Sequence, residues 1–385
     1  MEHEQYVIGR RVAAWRGRRG LSQRVLAGLA GISQPYLSQI ETGLRAVDRH
    51  STLISLADAL RVSLGELIGQ PGDPTNPING KTTATVAAIR AAIITRPERP
   101  TRPGDGASID AAMAAAIAKD HLTLGPMLPA LIGSCTGTDL VRAGYAATLY
   151  LRDLGYSDLS REAATLALAW ARRDEVAPMW LGVAEFLRVW SLPPETASFA
   201  AEEAVRAADD LQRFIADPDT REVYGMLHLA VAQQEAIAGD ASSARSHLDE
   251  AAAEALTLGD PADGRGVCSL AFGPTNVGLW RMAVNNELGE PEAAISAAEG
   301  VDPRRTRVPS RQAYYWMDLA QALAAVRRDQ DAITALLRAE AICPLWVRIR
   351  KEVHDTVNVV LTRTQRHAVS APLRRAAQMV GINIR

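Results

Sequence analysis

Helical periodicity through almost the whole chain is the feature that most constrains its fold. From residue 83 onward, apolar residues recur at three- and four-residue spacing in segments of roughly 12 to 20 residues, for example over 219–238 and 345–365. No segment of any length alternates apolar and polar residues as a strand does. Aromatic residues are only 5% of the 385 residues, whereas Ala and Leu are abundant, and this composition favours helix over strand. The sequence therefore predicts an all-α protein.

Composition and charge divide the chain into two domains joined by a linker. Residues 70–82 carry Pro71, Pro74 and Pro77 among Gly, Asn and Asp, which is typical of a domain boundary. Residues 1–70 have a net charge of +3 and the rest of the chain a net charge of −5, so only the N-terminal part is expected to meet a polyanion. We predict an N-terminal domain over 1–69, a linker over 70–82 and a helical domain over 83–385.

Several function classes have no support in the sequence. Cys135, Cys268 and Cys343 are far apart and form no metal-binding spacing, and the histidines do not cluster with acids. There is no phosphate-binding loop, serine-hydrolase elbow or metalloprotease motif, so neither an enzyme nor a cofactor or metal is expected. Because no signal peptide or long apolar run is present, we expect a cytoplasmic protein with no membrane contact.

The first seventy residues predict five short helices. Ser22 and Ser33 are the expected N-caps of the second and third helices, and the second helix is expected to point Val25, Leu26 and Leu29 inward. Between these helices, Gly31 can adopt the positive φ that a chain reversal needs. An ordinary pair of packed helices is one reading of this pattern. The third helix, however, keeps polar residues off its buried face, which favours a helix-turn-helix that reads base edges.

These residues resemble the Cro/phage-repressor type of helix-turn-helix, the XRE family. The resemblance lies in the stretches Leu21-Ser22-Gln23, Ala30-Gly31-Ile32-Ser33-Gln34 and Leu37-Ser38-Gln39-Ile40-Glu41-Thr42-Gly43. It implies that Gln34 is the main base reader, that Gln23 holds a phosphate and that Arg16 and Glu41 form an internal ion pair. Pro35 departs from the family pattern because it removes a polar reader. The DNA-binding residues that it implies are Gln23, Ser33, Gln34, Tyr36, Ser38, Gln39, Arg45 and Arg49.

One such module buries only about 600–1,000 Å² on DNA, so specificity normally requires two half-sites. We therefore expect a homodimer on a near-palindromic double-stranded DNA operator.

The helical domain resembles a tetratricopeptide-like α-solenoid, although generic packing of helices stays an alternative. The best-matching repeat is formed by Trp316, Leu319, Ala320, Leu323, Ala332, Leu336, Ala339 and Pro344. A solenoid offers a concave groove in which amide, Met and Tyr side chains can hold a ligand. The candidate ligand-binding residues in this frame are Met226, Gln233, Asn276, Asn286, Tyr314, Met317 and Gln321.

A helix-turn-helix followed by such a body also resembles the peptide-sensing regulators of Gram-positive bacteria. This architecture implies a transcriptional regulator that responds to a peptide or a small-molecule effector. Two other readings remain open. The body could be a scaffold for a protein partner with the helix-turn-helix used for autoregulation, or it could serve only to dimerise a simple repressor.

Overall fold

The computed structural model describes residues 8–9, 11–13, 15–17, 21–45, 47, 50–60, 77–97, 106–173, 176–364, 369–380 and 382. Within these ranges all the longer regular elements are α-helices, joined by turns and three short 3-10 segments, and no β-strand occurs, as the periodicity predicts. The chain separates into two compact units, Met1–Ala84 and Thr85–Arg385. None of the helices described is long and apolar enough to cross a membrane.

The first unit contains α1 (Gln23–Leu29), α2 (Gln34–Glu41) and α3 (His50–Leu60), and residues 8–9, 11–13 and 15–17 are also helical. The last of the five short helices expected in the first seventy residues lies outside the described residues. The core is formed by Val12, Leu26, Ala27, Ala30, Leu37, Ile40, Leu56, Ala57 and Leu60. Val25 and Leu29 are exposed rather than inward-facing, because they share a face of α1 that lies beside the face of Leu26, Ala27 and Ala30.

The second unit is built from successive helical hairpins, and α4 begins in the first unit and ends in the second. Its helices are α4 (Pro77–Thr95), α5 (Gly106–Ala118), α6 (His121–Ser134), α7 (Gly137–Asp153), α8 (Ser157–Arg173), α9 (Pro178–Trp190), α10 (Ala197–Gln212), α11 (Pro218–Ala238), α12 (Ala241–Leu258), α13 (Pro274–Glu287), α14 (Pro291–Glu299), α15 (Pro309–Ala325), α16 (Asp329–Ile342), α17 (Pro344–Arg348), α18 (Lys351–Arg363) and α19 (Ala371–Met379).

Local sequence sets the ends of these helices and how closely they pack. For example, Asp217 caps α11 by accepting a hydrogen bond from the Thr220 backbone N–H at 2.9 Å, and Gly239 ends it with a φ of 86°. Within α11, Gly225 lies against the Phe272 ring, and a Cβ at this position would come within 2.0 Å of it. The segment 345–365, expected as one helix, is two, because Arg350 is extended where its side chain packs beside Tyr314 and Trp346.

Alternate helices of the second unit form an inner ring. Each member contacts the next, and α15 returns to contact α5; the members are α5, α7, α9, α11, α13 and α15. Hydrogen bonds to Asp153, at the end of α7, tie this helix to the residue that follows α5 and to α17, which is not a member of the ring. The Asp153 carboxylate accepts from Lys119 Nζ at 2.7 Å and from Trp346 Nε1 at 2.9 Å, across 193 positions of sequence, and contacts His121 Nε2 at 3.1 Å. We call these four side chains the Asp153 cluster.

Candidate functional site

The turn between α1 and α2 is shaped by two capped helix starts and one glycine. Ser22 accepts a hydrogen bond from the Val25 N–H at 3.2 Å, and Ser33 accepts one from the Tyr36 N–H at 3.3 Å. Gly31 adopts a φ of +66°, a conformation that other residues reach only with strain. The Ile32 N–H donates to the Ala27 carbonyl at 3.0 Å, which fixes the angle between the helices.

A chain of hydrogen bonds runs from the core of this unit to the start of α2. Arg16 donates to both carboxylate oxygens of the buried Glu41, at 2.6 and 2.9 Å, which confirms the predicted ion pair. Gln23 donates to the same carboxylate at 2.7 Å. Its side-chain oxygen then accepts a hydrogen bond from the Gln34 amide at 2.9 Å. Only the first of these contacts was expected from the sequence.

These bonds decide what Gln34 presents to solvent. Gln34 is exposed, and one of its two amide N–H groups is used by Gln23. One N–H and the carbonyl oxygen are left. This donor–acceptor pair is what a Gln side chain uses to contact N7 and N6 of adenine together. The bond to Gln23 also holds the amide in one orientation, which reduces the entropy lost when it binds a base.

The other predicted DNA-contacting residues surround Gln34 to different extents. Ser33, Gln39 and Arg45 are exposed, whereas Gln23, Tyr36 and Ser38 are half-buried. The Arg45 guanidinium carbon lies 4.9 Å from the Tyr36 ring centroid, so that a cation–π contact positions a charge beside α2. Arg49 lies outside the described residues. We call the surface formed by α1, α2 and Arg45 the recognition surface.

The second unit has a partly open cavity of ≈ 60 Å³ between several helices of its inner ring. Its lining comes from α5, α7, α9, α15 and the loop before α13: Ala116, Ile117, Lys119, Tyr145, Leu149, Arg152, Asp153, Phe186, Trp190, Ser269, Val308, Ser310, Arg311 and Tyr314. We call this the central cavity. Of the seven residues predicted from a groove frame, Tyr314 is the one that lines it.

The groove prediction needs correction for three of the other six residues. Met226, Asn276 and Met317 are buried in the helix packing, so they are not groove-surface side chains. Asn276 donates to the Leu270 carbonyl at 3.0 Å and to Met226 Sδ at 3.4 Å, and so ties down the loop before α13. The sequence frame assumed an open groove, whereas the inner helices contact one another in a closed order and these three side chains pack between helices.

The remaining three candidates are not brought to the central cavity either. Asn286 donates to the Asp318 carbonyl at 2.9 Å and therefore bridges α13 and α15. Gln233 is half-buried and Gln321 is exposed. In contrast, Arg152 and Arg311 do line the cavity and were missed. Neither has an acid three or four positions away, unlike paired arginines such as Arg188 with Glu185, and this pattern is visible in the sequence.

Comparisons with known proteins identify the N-terminal unit. Residues 7–68 match a sequence-family model described as a helix-turn-helix domain. Together with the geometry of α1 and α2, this match establishes a helix-turn-helix domain at the N-terminus, as predicted. No curated protein matched the chain.

Two solved structures show distant similarity over most of the chain. One is Bacillus thuringiensis PlcR in complex with the peptide PapR7 and DNA, which is 10% identical, with 92% of this chain and 99% of that chain covered and a TM-score of 0.38. The other is the apo form of ComR from S. thermophilus, which is 13% identical, with 94% and 100% covered and a TM-score of 0.27.

Proposed function

We propose that the protein is a sequence-specific DNA-binding transcriptional regulator whose helical domain senses an effector and forms a homodimer. The observation that carries the proposal is the exposed, oriented Gln34 at the start of α2 within a helix-turn-helix domain. The second helix of this motif lies in the major groove with its N-terminal residues toward the bases. Gln34 then reads adenine through its remaining N–H and carbonyl oxygen.

Phosphate contacts in this proposal come from residues around Gln34. Gln23 uses one amide N–H on Glu41 and keeps the other for a phosphate oxygen. Arg45 is exposed, and its positive charge attracts phosphates whatever the base sequence. Contacts of this kind place α2 on the duplex, and Gln34 then sets the sequence preference.

Dimerisation is proposed because one recognition surface is too small for useful specificity. A single module buries about 600–1,000 Å² on DNA, less than most specific protein–DNA complexes use. Two copies on a near-palindrome, with half-sites one helical turn apart, double the number of base contacts.

The effector is proposed to be small, or to enter through one small group. The central cavity of ≈ 60 Å³ is small and partly open, whereas a scaffold for a folded protein partner uses a surface of roughly 800 Å² per partner. This favours a peptide end or a small molecule over a folded protein.

The test is selection of binding sites from a random double-stranded DNA library by the full-length protein. We expect one enriched motif made of two inverted half-sites, with adenine at a fixed position of each. The Gln34→Ala variant should enrich a motif in which that adenine is lost. Failure of the wild-type protein to enrich any sequence would overturn the proposal.

A further inference from the structure

Two arginines that line the central cavity have no carboxylate within ion-pair distance in the part of the chain that is described. Arg152 lies at the end of α7 and Arg311 in the first turn of α15. The Arg152 guanidinium carbon lies 4.3 Å from the Trp190 ring centroid, and that of Arg311 lies 5.7 Å from the Trp280 centroid. Because these two rings pack edge to face with centroids 4.9 Å apart, both guanidinium groups flank one aromatic pair.

The other charges of the cavity do not balance these arginines. Asp153 lines the cavity, but its two oxygens are occupied by Lys119, His121 and Trp346. Lys119 already offsets its charge, so that the cavity retains an excess of two positive charges. Glu352, further along the chain, pairs with Arg350 at 2.9 Å and acts on Arg152 only beyond ion-pair distance. The Arg350–Glu352 pair is neutral overall and leaves the excess unchanged.

Asp318 is an acidic residue on the same helix as Arg311. Burial raises its pKa to about 8, and Glu352 contributes to the same shift. At neutral pH it is therefore largely uncharged and does not serve as a counterion. Burial also lowers the pKa of both Arg152 and Arg311. An arginine nonetheless stays protonated in a protein, so each carries a poorly solvated charge that an anion would stabilise.

The cavity also supplies hydroxyl groups and limits the size of the anion. Tyr145, Tyr314, Ser269 and Ser310 line it. Burial raises the pKa of Tyr145, so its hydroxyl remains a hydrogen-bond donor. A volume of ≈ 60 Å³ holds roughly four water-sized groups at about 15 Å³ each, which suits a carboxylate and its neighbouring carbon. A carboxylate also matches the planar fork of a guanidinium group.

The loop that contributes Ser269 is strained. Cys268, Ser269 and Ala271 adopt φ values of 48°, 57° and 54°, where residues with a Cβ are rare. Hydrogen bonds hold this loop in place, from the Ala271 N–H to the Arg265 carbonyl at 2.7 Å and from Asn276 to the Leu270 carbonyl at 3.0 Å. Strain that the surrounding structure maintains in this way is found mainly at binding and catalytic sites.

We propose that the central cavity binds a single carboxylate group through Arg152 and Arg311, and that this is the effector site of the regulator. The carboxylate belongs either to a small organic acid or to the C-terminus of a peptide. The effector role rests on the proposed function, whereas carboxylate binding itself does not require DNA.

The experiment measures binding to the full-length protein without DNA, by calorimetry and by the shift in melting temperature at constant ionic strength. The probes are acetate, succinate, trialanine, trialanine amide, inorganic phosphate and a chloride control. We expect saturable binding of carboxylate probes. Tighter binding of succinate than of trialanine identifies a small acid. Tighter binding of trialanine than of either succinate or trialanine amide identifies a peptide C-terminus.

Arg152→Gln and Arg311→Gln should each weaken carboxylate binding about ten- to a hundredfold, the range expected for a hydrogen bond to a charged group. Arg311→Lys keeps the charge but loses the fork, so an intermediate loss is expected. Arg173→Gln is the matched control, because Arg173 stacks over Trp170 at 4.5 Å but does not line the cavity. Tyr314→Phe keeps the ring, removes one hydroxyl and should weaken carboxylate binding a few-fold. This variant tests the site if an arginine variant fails to fold.

No saturable carboxylate binding to the wild-type protein, binding of phosphate alone, or equal binding by all variants would overturn the carboxylate site. Each of these results leaves DNA reading by Gln34 intact. Conversely, carboxylate binding without any sequence preference on DNA would overturn the proposed function while retaining the site. With a selected operator, a change in DNA affinity at saturating carboxylate supports the effector role, and an unchanged affinity contradicts it.

Discussion

Replacing Asp153 by Asn tests how strongly one buried carboxylate holds the ring of the second unit together. Asp153 and Lys119 are only 6% and 8% exposed at their side chains, and Asp153 also accepts a hydrogen bond from Trp346. An Asn side chain has nearly the same shape and can still accept from Trp346. The substitution therefore removes mainly the negative charge and leaves the Lys119 ammonium buried without a counterion.

The expected loss is large because the pair is buried. Removing one partner of a buried ion pair costs about 3–5 kcal/mol. Burial alone would raise the pKa of Asp153, but Lys119 and His121 lower it well below its usual range. A carboxylate with a lowered pKa stabilises the folded state above the pKa of the unfolded chain, near 3.9, and this stability is lost as pH falls further. The difference between wild type and variant should therefore shrink below about pH 4.

Urea unfolding followed by tryptophan fluorescence measures this loss, since six of the seven tryptophans lie in 85–385. The matched control is Asp355→Asn, which breaks the exposed pair with Lys351 and should change the free energy of unfolding by less than about 0.5 kcal/mol. A loss below about 1 kcal/mol for Asp153→Asn, or equal losses for both variants, would refute the reasoning that charge at this position stabilises the ring.

Three further predictions concern single side chains. Burial and the nearby His247, whose Nδ1 lies 2.9 Å from that of His228, lower the pKa of His228 to about 4. Because this side chain is protonated more readily in the unfolded chain, the free energy of unfolding should fall by about 2 kcal/mol from pH 7 to pH 5. Urea titrations of His228→Gln should show a smaller dependence on pH. Ser33→Ala removes the N-cap of α2 and should destabilise the first unit by about 1 kcal/mol, seen by circular dichroism as an earlier unfolding step. Glu41→Gln leaves one acceptor oxygen where Arg16 and Gln23 now share two, and so weakens the support that orients Gln34. Affinity for the selected operator should fall while affinity for random DNA is retained; equal losses would contradict this role.

Local features of the first unit could be predicted from the sequence because they depend on neighbouring residues. The caps Ser22 and Ser33 and the positive φ of Gly31 follow from residue type and position in a short helix pair. The link from Glu41 through Gln23 to Gln34 could not be predicted. It depends on three side chains meeting within hydrogen-bond distance across two helices, which periodicity does not specify.

The second unit shows the same division between local and long-range features. Helix positions such as 219–238 follow from apolar spacing and from breakers such as Gly239. The central cavity depends instead on long-range contacts, such as those between α15 and α5 and between Trp346 and Asp153. A repeat pattern does not specify these contacts, so Met226 and Asn276 were expected on a surface and are buried.

The most direct test of sequence-specific DNA binding compares Gln34→Ala with Arg45→Ala on the selected operator and on random DNA over a range of salt concentrations. Gln34→Ala should lose about 1–3 kcal/mol of discrimination between the two DNAs with an unchanged salt dependence. Arg45→Ala should weaken both alike and reduce the salt slope by about one. If both variants lose equal affinity on both DNAs, the assignment of Gln34 as the base reader is wrong.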